Sequence, residues 1–155
     1  MVKPFIRGQE FCICLVCDRN HNIIDSVSIK KLICNESGKA WSARQVTIPL
    51  LTDFATQMAK ELQWVGPIEF EFIRDELREQ YALIDINPRF PAWIGYSADI
   101  GVNLPRAALL SMLNHKIERA VPSTNDLIYT LAQRDWPVKT IEFGTMLTRK
   151  QRRYD

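Results

Sequence analysis

Two short runs, IEFEFI at residues 68–73 and LIDINPRF at residues 83–90, hold the side chains best able to do chemistry. Read as strands, they alternate their side chains between two faces. Glu69 and Glu71 then share one face of the first run, with Phe70 and Phe72 on the other. In the second, Tyr81, Leu83, Asp85 and Asn87 share a face, opposite Ala82, Ile84 and Ile86. A hairpin with one apolar face would set Phe70 and Phe72 with Ile84 and Ile86, and the acids beside Asp85 and Asn87. Like charges on adjacent strands destabilise a sheet unless something neutralises them. Arg74, Arg78 or Arg89 could do so at a solvent-exposed face; the other reading is a hard cation. Two carboxylates and an amide carbonyl are oxygen ligands of the kind magnesium accepts, usually together with substrate phosphates. Pro88 keeps Asn87 out of the helical region, and Arg89 follows with a planar fork suited to a phosphate or acyl phosphate.

The elements that must position these residues follow from the same periodicities. QEFCICLVC (9–17), β-branched, aromatic and thiol-rich, reads as a strand ending in a turn at DRNHN, and NIIDSVSIKKLIC continues as one or two antiparallel strands. NESGKAWSARQ (35–45) reads as a polar loop around Gly38. PLLTDFATQMAKELQW predicts a helix from the spacing of Leu51, Phe54, Ala55, Met58, Ala59 and Leu62, with Pro49 ahead and Gly66-Pro67 behind. RDELREQ is short enough to join its two flanking strands antiparallel. RFPAWIGYSADIGVN reads as irregular, and a helix is predicted from about Pro105 to Asn114. DLIYTLAQRDW suits either helix or strand, and TIEFGTML predicts one further strand.

Length and composition agree with one domain: 155 residues, 46% hydrophobic and 25% charged, are enough for a single core and argue against disorder. The net charge of +2 provides no broad basic field for nucleic acid, and the basic tail over 148–155 reads as a solvated terminus. No window approaches the roughly 18 apolar residues of a membrane span, and no signal-like N-terminus is present, so a cytoplasmic location is expected. Cys12, Cys14, Cys17 and Cys34 suit a reducing compartment. A zinc site in CICLVCDRNH, with His21, is disfavoured because Cys12 and Cys14 fall on one strand face and Cys17 on the other.

The segment GPIEFEFIRDELREQYALIDINPRF resembles the C-terminal lobe of the ATP-grasp superfamily, which includes carboxylate-amine and carboxylate-thiol ligases, carbamoyl phosphate synthetase and biotin carboxylase. The resemblance covers about residues 5–114. It implies an α+β fold with an antiparallel sheet of five to six strands and helices packed on one face. Residues 115–155 would be an extension on or after the same lobe. It also implies cofactors ATP and magnesium, with manganese as an alternative ion, held by Glu71, Asp85 and Asn87 at the three metal positions. Arg89 would contact phosphate, and Glu10, in RGQEFCICLVCD, would bond the ribose hydroxyls. Lys30, with Lys31 and Arg44 nearby, is the candidate second catalytic cation. Asp85 stands where the family usually has Glu, one methylene longer, and Lys3 where an acidic or amide hinge residue is expected.

The chain begins at the family's hinge, which implies a truncated piece of a longer ligase, inactive alone, in preference to a split gene product or a remnant. The partners implied are a small carboxylate, an amine or thiol, and the N-terminal ATP-grasp lobe. The alternative is a non-catalytic module acting through its surface as a homodimer, with Trp41, Trp64, Trp93 and Trp136 as candidate contacts.

Overall fold

The computed structural model describes residues 5–36, 38–118, 120–122 and 127–132. In chain order the elements are β1 (Gly8–Cys17), β2 (Ile23–Cys34), β3 (Ala40–Val46), α1 (Pro49–Glu61), β4 (Gly66–Asp75), β5 (Tyr81–Asn87), α2 (Ile94–Asp99), α3 (Leu104–Met112) and β6 (Ile128–Thr130). The six strands among the described residues pair antiparallel in one sheet of order β5-β4-β1-β2-β3-β6. None of the described helices is long and apolar enough to cross a membrane.

β1 explains the layering. Every residue from Phe11 to Cys17 is apolar and buried, so both faces of this strand need a cover. Phe11, Ile13, Leu15 and Cys17 pack with Ile68, Phe70 and Phe72 of β4 under Leu51, Ala55 and Ala59 of α1. Cys12, Cys14 and Val16 pack with Val27, Ile29 and Ala43 against Trp93, Tyr96, Ile100 and Leu104. The α+β antiparallel architecture agrees with expectation, but helices lie on both faces of the sheet, because a strand apolar at every position leaves no face for solvent.

Three local readings change. The expected loop over 35–45 contracts to a tight turn in which Asn35 and Lys39 exchange hydrogen bonds, and Ala40–Val46 pairs with β2 as a strand. Its ladder bonds to β2 and β6 outweigh its polar composition. The segment expected to be irregular contains α2, whose Tyr96 is buried and donates to the Leu127 carbonyl. The third is a β-bulge in the β4–β5 hairpin. Glu69 faces Asn87, Phe70 faces Ile86 and Glu71 faces Asp85, but Phe72 then faces Leu83, leaving Ile84 as the extra residue. Leu83 and Tyr81 therefore join the Phe72 side of the sheet, and Ile84 lines the opposite cleft.

α1 and α3 form where the spacing predicts them; Pro49 and Pro105 occupy first turns, and the Asn103 side chain caps α3 by accepting from the Arg106 amide. β6 settles residues 128–130 of DLIYTLAQRDW as strand. The strand expected over TIEFGTML, the basic tail, Lys3 and Trp136 lie outside the described residues.

Candidate functional site

The polar face of β4 and β5 opens into a cleft of about 560 Å³ bounded by β1, β2 and the segment after β5. Because paired residues of neighbouring strands point the same way, the β4–β5 register alone carries Glu69, Glu71, Asp85 and Asn87 to one side. On β1, Cys12 lies opposite Glu71, so Glu10 and Cys12 face the same cleft. Cys17 turns to the α1 side, and this splits the thiols as the alternation requires.

At the centre is Lys31, which the sequence named beside Lys30 as a cation able to reach phosphate or substrate. Lys31 is 4% exposed, and its ammonium donates to Glu10 Oε2 at 2.7 Å, Glu71 Oε2 at 2.7 Å and the Gly38 carbonyl at 2.9 Å. An ammonium has three protons to give, and here all three have acceptors. Burial penalises its charge, but the hydrogen-bonded carboxylates of Glu10 and Glu71 more than offset this and raise its pKa. Lys30, the one of the two lysines expected to be catalytic, pairs with Phe11 and Arg44 and shares their face, opposite the cleft. The signal was present in SVSIKK: Val27, Ile29 and Lys31 are two apart and share a face.

The remaining bonds orient the acids. Asn87 Nδ2 donates to Glu71 Oε1 at 3.0 Å and Glu69 Oε2 at 3.2 Å, while its Oδ1 accepts from an Arg89 guanidinium nitrogen at 3.2 Å. Trp93 Nε1 donates to Glu69 Oε1 at 2.9 Å. Burial, reinforced by the negative charge of Glu71, pushes the Glu69 carboxyl above the ordinary range despite the indole donor. Asp85 stays exposed at the rim, one oxygen accepting from the Ile86 amide.

Within the cleft Lys31, and not one of the arginines proposed from sequence, pairs with Glu71. Arg74 pairs with Glu79 and Arg78 with Asp75, while Arg89 bonds Asn87 and the Phe90 carbonyl. Burial drives the thiols of Cys12 and Cys14 far up and that of Cys17 up to about 11, so all three are neutral near pH 7. Of the tryptophans considered as surface contacts, Trp93 is core, Trp64 is partly buried and Trp41 is half-exposed.

A family model described as ATP-grasp in the biosynthetic pathway with Ter operon matches residues 1–134. The chain belongs to this ATP-grasp family. Solved structures agree on the fold of this ATP-grasp chain. A Campylobacter jejuni biotin carboxylase in complex with β,γ-ATP is 14% identical, with a TM-score of 0.63 over 74% of this chain and 27% of that one. The biotin carboxylase domain of Hydrogenobacter thermophilus 2-oxoglutarate carboxylase, a dimer in complex with MgADP, ADP and bicarbonate, gives 14%, 0.56, 70% and 25%. Staphylococcus aureus N5-carboxyaminoimidazole synthetase gives 15%, 0.59, 77% and 34%. The chain thus spans about a quarter to a third of the length of these structures. No curated protein matches the sequence.

Proposed function

We propose that this chain forms the magnesium-nucleotide lobe of an ATP-dependent carboxylate-amine or carboxylate-thiol ligase. The observation that carries the reading is the juxtaposition of Glu71 with Asp85 across the β4–β5 pair, with Asn87 two residues on and its carbonyl oxygen held towards Arg89. Family membership and the MgADP complex of the Hydrogenobacter relative support it.

The donor set fits the ion: carboxylates of Glu71 and Asp85 and the Asn87 carbonyl are hard oxygens, and Asp85 is exposed at the rim. Bound there, magnesium would neutralise charge between the β- and γ-phosphates. In this reading Glu10 takes the ribose side and Arg89 stabilises charge on the transferred phosphoryl group. Lys31 holds Glu71 and Glu10 in register and tethers the Gly38 turn over the cleft. A substrate carboxylate oxygen would attack the γ-phosphorus and release ADP, and an amine or thiol would then attack the acyl carbon and release phosphate. The chain's contribution is positioning and charge neutralisation, with no covalent nucleophile.

Calorimetric titration with ATP, with and without magnesium, tests this on the wild type and on Asp85→Asn. Magnesium-dependent binding lost in the variant is the expected result. Binding indifferent to magnesium, no binding at millimolar ATP, or a variant that keeps the magnesium dependence would overturn it.

A further inference from the structure

Glu69 and Trp93 have no part in that scheme, yet both are buried at its floor, at 3% and 4% exposure. A carboxylate so withdrawn from water is unfavourable unless its oxygens are bonded. Here each oxygen has one donor, Trp93 Nε1 on Oε1 and Asn87 Nδ2 on Oε2. Those donors sit at the two ends of the segment that leaves β5, Asn87 through Trp93. Glu69 therefore fastens both ends of that segment to β4.

The effect on Asn87 follows from hydrogen-bond inventory. Its amide nitrogen has two protons and its oxygen has none. With Glu69 and Glu71 both on one side, the nitrogen must face them, because an oxygen turned there would meet two carboxylates. The Asn87 oxygen is thereby left to the side where Arg89 reaches it, and a cation held there takes that acceptor from the guanidinium. Removing the Glu69 acceptor leaves Glu71 alone to hold the amide, and Glu71 is already drawn the other way by Lys31.

We propose that Glu69 is a positioning residue that fixes the side-chain amide of Asn87, its nitrogen on the acids and its carbonyl oxygen left for the divalent cation. This rests on the reading of Asn87 as a metal ligand. Groups that orient a metal ligand typically change metal affinity by about 10–100-fold when replaced.

The test uses Glu69→Gln, Trp93→Phe and the double variant. Glutamine keeps the shape but turns one acceptor oxygen into a donor nitrogen, and both neighbours of that carboxylate are donors. In Glu69→Gln alone, one donor must oppose another. With phenylalanine at 93 the glutamine nitrogen can face the emptied side, and its oxygen can again accept from Asn87. Magnesium affinity, read from ATP titrations across magnesium concentrations, should fall about 10–100-fold in Glu69→Gln and recover most of that in the double variant. It should change little in Trp93→Phe.

A second readout needs no metal. The Asn87 side-chain amide protons of the wild type, followed by NMR, should exchange slowly, and their resonances should move in Glu69→Gln and return in the double variant. Wild-type magnesium affinity in Glu69→Gln, a double variant no better than the single one, or wild-type amide protons exchanging like a free side chain would each overturn the proposal. If the wild type lacks magnesium-dependent binding while the amide data hold, the metal reading fails and the positioning of Asn87 stands by itself.

Discussion

Replacing Lys31 with methionine isolates the charge at the centre of the cleft, because methionine keeps most of the apolar stem and removes only the ammonium. Three bonds go with it, two to carboxylates and one to the Gly38 carbonyl. Breaking a buried pair typically costs about 3–5 kcal/mol, since the partner charge is left uncompensated. The Lys31 side chain is 5% exposed, but those of Glu10 and Glu71 keep 27% and 20%. Water therefore screens part of the residual repulsion, and the expected loss is nearer ~2–4 kcal/mol. In a chain of this length that is a fall in melting temperature of roughly 5–15 °C. Equilibrium urea unfolding provides the free energy, with Lys30→Met on the opposite face as the control. The control should shift stability by no more than about 0.5 kcal/mol. Magnesium should restore part of the loss in Lys31→Met, because a divalent ion on Glu71 and Asp85 supplies the missing positive charge. A Lys31→Met protein within about 0.5 kcal/mol of wild type, or equal losses at both lysines, would refute the assignment of Lys31 as the neutralising cation.

Two further outcomes are expected. Alkylation of the native protein should modify Cys34, the exposed thiol, well before Cys12, Cys14 and Cys17, which are buried and protonated; mass spectrometry of labelled peptides before and after denaturation checks the order. At the β1–β2 turn burial raises the Asp18 carboxyl, but the hydrogen bonds it accepts from the Asn22 and Asn20 amides together outweigh this and set its pKa below the ordinary 3.8. Its stabilisation is thus complete above that value and lost as pH falls through the lower folded one, so the stability gap between wild type and Asp18→Asn should narrow in acid unfolding series.

What the strands would do to their own side chains was legible from sequence. The alternation in IEFEFI and LIDIN put Glu71, Asp85 and Asn87 on one face, and the structure brings Glu71 opposite Asp85. The apolar run Phe11–Cys17 announced a buried strand, and the spacing of Leu51, Ala55 and Ala59 announced the helix over it. Lys31 was equally legible through its parity with Val27 and Ile29. Other features depend on partners distant in the chain. Strict alternation would set Phe72 with Ile84, but strand pairing tolerates an inserted residue, and the bulge returns Leu83 and Tyr81 to the core of Phe11 and Phe72. β3 is polar by composition and becomes a strand because β2 and β6 supply its hydrogen bonds. Trp93 could be read as core or as a surface contact, and the turn after Asn87 decided it by carrying its indole back to Glu69. Local periodicity determined which face each side chain takes, since that is fixed by backbone geometry within one strand; only the tertiary structure decided which charges meet, because a salt bridge or a buried carboxylate bond requires groups tens of residues apart to arrive at one point.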